Sequence, residues 1–368
     1  MTETQAGKSV KLTHGGDVEG YLEEYGSAPL DFSANISPLG LPPGVHDAVI
    51  AALDTADAYP DPLCRRLRAA LAKHDKVTLD EIVCGNGTAD IIFRLGPALK
   101  PARALLCAPT FAEYAEGLEA AGCAIERHVL EPADGFAVDN RFIERIVPGI
   151  DLVFICQPNN PTGRTCPRET VIEALERCEA IGARLVVDEC FVGFLDNPET
   201  VSVRALVSER PSLIVLKAFT KLYAMAGIRL GYALCADRAV VQAIQSTGQP
   251  WAVSTLAQAA GIAALNEEAY VGELRRLIRD ERAFLIDGLS RCGLDANGEA
   301  NFLFFHTTCT GFPERMRANG VLVRDCSNYP GLEEGWYRVA VRGHEENVRL
   351  LATISKVLGE TDTEGDRR

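Results

Sequence analysis

The sequence predicts an α/β protein, with a mostly parallel sheet covered by helices in a large domain and a smaller α+β domain toward the C-terminus. Three observations carry that expectation. Short apolar runs recur at 104–107, 124–130, 152–156, 184–187, 213–216 and 230–235. Helical patterns, such as those over 89–99 and 168–180, fill most of the gaps between them. Strands that alternate with helices return in the same direction, and apolar runs with few polar interruptions belong to sheets buried on both faces. After about residue 245 the alternation stops, and helical segments at 254–265 and 267–292 precede short strands and a closing helix over 345–358.

Taken in order, residues 1–29 read as a polar leader carrying His14-Gly15-Gly16. A short strand is expected at 30–35, broken by the Pro- and Gly-rich segment 37–43, with a helix beginning near Gly44. Another helix follows Tyr59-Pro60-Asp61-Pro62, where prolines suit a helix start. Thr78-Leu79-Asp80-Glu81 has capping-box spacing and introduces a strand at 82–84. The predicted division is an N-terminal arm at 1–48 that contributes to the small domain, a large domain at 49–245 and a small domain at 246–358. The charged tail 359–368 is expected to be disordered.

Composition narrows the function. The length of 368 residues exceeds the usual single core, in keeping with two domains. A net charge of −14 argues against nucleic acid as a partner, because phosphate backbones need a basic face. No apolar signal-peptide core opens the chain and no run of about 18 apolar residues appears, so a cytoplasmic protein without a membrane span is expected. The twelve cysteines form no C-x-x-C pair and sit mostly in apolar segments. They read as buried reduced thiols, with no metal.

Five segments at predicted strand ends carry the chemistry. Lys221 lies in a run of small and apolar residues, and a lysine taken from water becomes a nucleophilic amine. Gly85-Asn86-Gly87-Thr88-Ala89-Asp90 joins a strand to a helix, where free N–H groups favour a phosphate. Asn160, in Asn160-Pro161-Thr162-Gly163, offers an amide donor to a phenolate oxygen. Asp188 ends an apolar strand, and a carboxylate there is costly unless it meets a cation such as a protonated ring nitrogen. Phe111 offers a ring to stack on, and Arg229 a cation for a phosphate. Together they supply what a phosphorylated pyridine aldehyde needs.

At this point the chain resembles the fold-type I pyridoxal-phosphate enzymes of aminotransferase class I/II, over roughly residues 14–357. The resemblance implies pyridoxal 5'-phosphate as cofactor, covalently held by Lys221, with Asp188 on its ring nitrogen, Asn160 on its hydroxyl and Phe111 stacked on the ring. It implies that Gly87, Thr88, Ala89, Thr220 and Arg229 hold the cofactor phosphate. Tyr59 matches a residue that reaches the phosphate of the neighbouring subunit, which implies a homodimer. Arg338 matches the arginine that grips the substrate carboxylate.

Within this superfamily the chain is similar to the branch of histidinol-phosphate aminotransferases and threonine-phosphate decarboxylases. Four segments favour the decarboxylases: His14-Gly15-Gly16-Asp17, residues 31–40, Phe191 after Asp188-Glu189-Cys190, and Val323-Arg324-Asp325-Cys326-Ser327-Asn328-Tyr329. Two positions depart from the wider pattern. Ala218 stands where a hydroxyl commonly contacts the cofactor phosphate, and Phe191 removes a phenol from the cofactor's ring hydroxyl. The resemblance implies loss of CO2 from L-threonine O-3-phosphate, giving (R)-1-amino-2-propanol O-2-phosphate for the cobalamin nucleotide loop. His14 and Arg324 are then expected on the substrate phosphate, and Arg338 and Asn35 on its carboxylate. Histidinol-phosphate transamination is the alternative, and a non-catalytic cofactor-binding regulator a distant one.

Overall fold

The structure, a computed structural model, describes residues 14–365, with side chains as far as residue 360. Helix α1, Val18–Tyr25, and strand β1, Leu30–Asp31, come first, followed by helices α2, Pro43–Leu53, and α3, Arg65–Asp75. The capping box forms as expected, with Thr78 and Glu81 bonding reciprocally across one 3-10 turn before strand β2, Ile82–Gly85. The alternating part then runs through α4, Thr88–Leu99, β3, Arg103–Ala108, α5, Glu113–Glu119, and β4, Ala124–Val129. It continues through α6, Asn140–Glu144, β5, Leu152–Cys156, α7, Arg168–Ile181, and β6, Arg184–Asp188.

Strands β7, Leu213–Ala218, and β8, Gly231–Leu234, complete the large sheet before helices α8, Arg238–Ser246, α9, Thr255–Ala264, and α10, Glu268–Arg291. The rest is β9, Ala296–Asn297, β10, Phe302–His306, α11, Phe312–Ala318, and β11, Val321–Leu322. Strands β12, Arg324–Asp325, and β13, Trp336–Ala340, lead to α12, His344–Gly365. No described helix is long and apolar enough to cross a membrane.

The large sheet has the order β2-β8-β7-β6-β5-β3-β4. Neighbours from β7 to β4 are parallel, whereas β8 runs antiparallel to both β7 and β2. Side chains alternate between faces along a strand. Val153, Ile155, Leu185, Val187 and Val215 therefore enter one core, while Leu152, Phe154, Val186, Ile214 and Leu216 enter the other. Two buried faces explain why the strands read as unbroken apolar runs, each such side chain stabilising by about 1.5–3 kcal/mol. The smaller sheet, β12-β13-β10-β9, is antiparallel, and β1 pairs in parallel with β11.

Two expectations are corrected. The polar leader contains α1, because Tyr21 is buried and Arg317 lies over its ring at 5.2 Å while pairing with Asp17 and Glu24. The tail is helical beyond 359, since α12 continues to Gly365 with no proline to stop it and with Lys356 4.0 Å from Glu360 one turn on. Residues 366–368 lie outside the described residues.

Asp75 is a charge inside this interior. It accepts from Arg204 at 3.0 Å and from the Tyr232 hydroxyl at 2.8 Å, with His74 3.2 Å away. Burial alone would raise its carboxyl, but His74, Lys217 and Tyr232 outweigh burial and hold it at about 2 against an ordinary 3.8. The folded chain thus binds this proton less readily than the unfolded chain. Its contribution is complete above the unfolded value and disappears as pH falls through the folded one. Asp75→Asn should lower stability by about 2 kcal/mol at neutral pH and flatten the acid limb of the stability curve, as read by urea denaturation at about pH 7 and about pH 3.

Candidate active site

The parallel strands end at one edge, and the side chains expected to carry chemistry converge there. They line a cavity of about 250 Å³ that includes His14, Asn35, Thr88, Ala89, Phe111, Asn160, Asp188, Phe191, Thr220, Lys221, Arg229, Arg324 and Arg338.

Lys221 follows β7, and Arg229 precedes β8. Because these two strands are antiparallel, the connection between them leaves and re-enters the sheet at the same end. Lys221 remains partly accessible from the cavity. Burial holds its ammonium down to about 8, and the charges of Arg338 and Arg229 push the same way against Cys190 and Glu113. A substantial neutral fraction near physiological pH makes this amine a nucleophile.

A cradle suited to an anion is built from backbone. Gly87 has φ 78°, and a Cβ there would lie 2.6 Å from Nη2 of Arg229. A Cβ on Gly231 would lie 2.5 Å from the Thr88 nitrogen. Only glycine at these positions lets the arginine close over the start of α4, where free N–H groups face an anion. Arg229 itself has φ 64°, a left-handed conformation that costs a non-glycine residue about 1–2 kcal/mol.

Asp188 ends β6 and is almost fully buried. Tyr114 donates its hydroxyl to Oδ2 at 2.6 Å, and the Cys190 N–H donates to Oδ1 at 2.9 Å. Burial pushes the carboxyl up from its ordinary value, against the lowering effect of these bonds. Such an acid is suited to meeting a buried cation. Phe111 lines the cavity with its edge toward Tyr114, and Phe191 packs edge-on against Phe302.

Arg324 and Arg338 occupy directly opposed positions on β12 and β13, and both are buried. Like charges opposite one another across a ladder are destabilising. Arg324 donates to the Asp325 carbonyl at 2.6 Å and to Asn328 Oδ1 at 2.8 Å, and its guanidinium lies 5.1 Å from the Tyr329 ring centroid. Arg338 donates to Asn160 Oδ1 and, at 2.6 Å, to the Ser33 carbonyl, while its Nε has no partner. Asn35 is buried with neither amide atom satisfied. Buried polar groups are rarely left so. Two arginines and an unsatisfied amide at one wall describe a receptor for an anion.

Gly87 and Tyr59 are the expected residues that do not line the cavity; Gly87 sits just behind it under Arg229, whereas Tyr59 lies away from it. Tyr59 is 80% exposed and stacks on Trp251 at 4.5 Å. Conversely, Glu113, Tyr114, Ser33 and Cys190 line the cavity without having been singled out for it. Tyr114 had a readable signal: it stands three residues after Phe111, one helical turn toward the same wall.

A family described as aminotransferase class I and II matches residues 28–354. The chain is 38% identical over 353 residues to the threonine-phosphate decarboxylase of Salmonella typhimurium, covering 94% of this chain and 96% of that protein. It is 34% identical over 357 residues to the histidinol-phosphate aminotransferase of Symbiobacterium thermophilum, covering 94% and 95%. In three dimensions it is similar to the histidinol-phosphate aminotransferase of Clostridium acetobutylicum, with a TM-score of 0.84 at 27% identity over 90% of this chain and 99% of that one.

Proposed function

The chain belongs to the aminotransferase class I and II family, and on that footing we propose that it decarboxylates L-threonine O-3-phosphate to (R)-1-amino-2-propanol O-2-phosphate and CO2 in cobalamin biosynthesis. The observation that carries this reading is the opposed pair Arg324 and Arg338 beside the unsatisfied Asn35, which suits a small substrate bearing two anionic groups. The greater identity to a threonine-phosphate decarboxylase supports decarboxylation over transamination.

The residues fit pyridoxal 5'-phosphate: a buried acid short of a cation, a glycine cradle that a Cβ would fill, and an amine held near neutrality. Gly87, Thr88, Ala89, Thr220 and Arg229 would hold its phosphate, Asp188 its ring nitrogen, Asn160 its hydroxyl, Phe111 its face and Lys221 its aldehyde carbon. When bound, this cofactor supplies an electron sink for the charge left on Cα as CO2 departs. Phe191 provides packing without a hydroxyl, which leaves Asn160 as the donor beside it.

The remaining work is orientation by the chain. Arg338, fixed by Asn160 and Ser33, holds the substrate carboxylate together with Asn35. Arg324 and His14 hold the substrate phosphate at the other end. Gripping both ends fixes the orientation of the bonds at Cα, an effect worth several kcal/mol. Lys221, an amine held at about 8, would also carry a proton at Cα. Tyr59 reads as the chain's contribution to a neighbouring copy, in a homodimer with shared sites, and residues 49–245 as the large domain with 1–48 and 246–358 making up the smaller part.

Incubation with threonine phosphate should release CO2 without consuming 2-oxoglutarate. Turnover of histidinol phosphate that depends on a keto acid would overturn the reading in favour of transamination. Arg324→Ala should raise KM for threonine phosphate by about 10–100-fold, the loss of one charged clamp, with a smaller change in kcat.

A further inference from the structure

Two carboxylates line the cavity, and they are differently placed. Asp188 is committed to Tyr114 and the Cys190 N–H. Glu113, at the start of α5, has Oε1 3.6 Å from Nε2 of His14, while its Oε2 is buried without a hydrogen-bond partner. A bare buried carboxylate oxygen is costly, and more so in a cavity whose proposed occupant brings its own anions.

His14 is held there by its neighbours. The Gly16 N–H donates to Ser33 Oγ at 2.7 Å, and Gly15 lies so close that a Cβ would fall 2.5 Å from the Ser33 carbonyl oxygen. The same carbonyl accepts from Arg338. The arm that carries His14 is thus tied through Ser33 to the wall of the site, and its imidazole lies 3.6 Å from Glu113.

We propose that Glu113, which lines the cavity beside His14 with a buried, unpartnered Oε2, recognises the substrate phosphate as a neutral carboxyl, which makes Glu113 a specificity-determining residue. Protonated, it carries no charge and presents an O–H donor to the phosphate. Release of that proton to solvent leaves a carboxylate facing a dianion. The inference rests on the reading of Arg324 and His14 as the phosphate clamp.

The surroundings favour retention of the proton. Burial, then the charges of Glu116 on the same helix and Asp188 at the end of β6, push the Glu113 carboxyl up to about 7, against its own backbone N–H and Lys221. His14 faces it from the N-terminal arm.

Inorganic sulfate, a dianion throughout the neutral range, tests the role of Glu113 by calorimetric titration into holoenzyme. At about pH 8.5, Glu113→Gln should bind sulfate roughly tenfold more tightly than wild type, because the repelling charge is gone; at about pH 6 the two should agree within about threefold. Wild type should take up protons on binding at about pH 7.5, measured in two buffers of different ionisation heat, and Glu113→Gln should take up fewer. A Glu113→Gln effect of equal size at both pH values, in either direction, overturns the inference, as does binding by wild type without proton uptake. Arg324→Ala separates the two layers. If sulfate fails to bind, or binds equally well without Arg324, the clamp falls and the inference with it. If binding requires Arg324 but the Glu113→Gln effect is flat with pH, the clamp stands and the inference alone falls.

Discussion

Lys221→Met should reduce kcat for decarboxylation by at least about 10³-fold, because in the proposed mechanism one side chain supplies both the covalent attachment and the proton carrier. The same substitution should raise the stability of the protein without cofactor. Burial lowers this amine to about 8 from its ordinary 10.5, so the unfolded chain binds the proton more readily than the folded one. Folding is therefore penalised below the folded value, and the penalty fades as pH rises from there toward the unfolded one. At about pH 7 its removal is worth up to about 2–3 kcal/mol, a gain visible as a higher Tm in calorimetry. Activity and stability then move in opposite directions, as expected where a functional group is held under strain. A Lys221→Met enzyme that still releases CO2 at an appreciable rate would remove Lys221 from the chemistry.

Asp188→Asn is the second large effect. Removing one member of a buried ion pair costs about 3–5 kcal/mol, which translates into a loss of roughly 10²–10³-fold in kcat when the pair forms with the cofactor ring. The substitution is nearly isosteric, but it places an NH2 where both oxygens now accept, from Tyr114 and from the Cys190 N–H. One of those donors must lose its acceptor. Cofactor retention after gel filtration, followed by its absorbance, should fall together with kcat. Full retention with normal turnover would show that the acid serves only to cap the turn at Cys190.

The large sheet was legible because strands buried on both faces carry an unmistakable apolar signature, as at 152–156 and 184–187. The residues proposed to hold a cofactor were legible for a related reason: Asp188, Asn160 and Lys221 each break an apolar or rigid run with a group that needs an explanation. The opposition of Arg324 and Arg338 was not legible, since register between two short strands depends on the intervening turn and on packing rather than on composition. Glu113 escaped because a glutamate at the start of a helix is ordinary, and only the enclosure around it makes it unusual. Tyr59 illustrates the opposite limit, since a role proposed for a second copy leaves no trace in the cavity of its own chain.

The antiparallel turn-back between β7 and β8 has a consequence for how this protein can diverge. Lys221 and Arg229, proposed as nucleophile and phosphate ligand, ride on a single connection whose two ends are anchored at one edge of the sheet. The distance between the reactive carbon and the phosphorus of a bound cofactor is a constant of its chemistry, so the length of this connection is a constant too. Surface loops elsewhere accept inserted residues at little cost. Here a library of single-codon insertions or deletions across 221–229 should be purged almost completely under selection for activity, while substitutions at the partly buried Ala224 and Ala226 survive as long as they keep the span. In mutational terms, this segment behaves as a ruler.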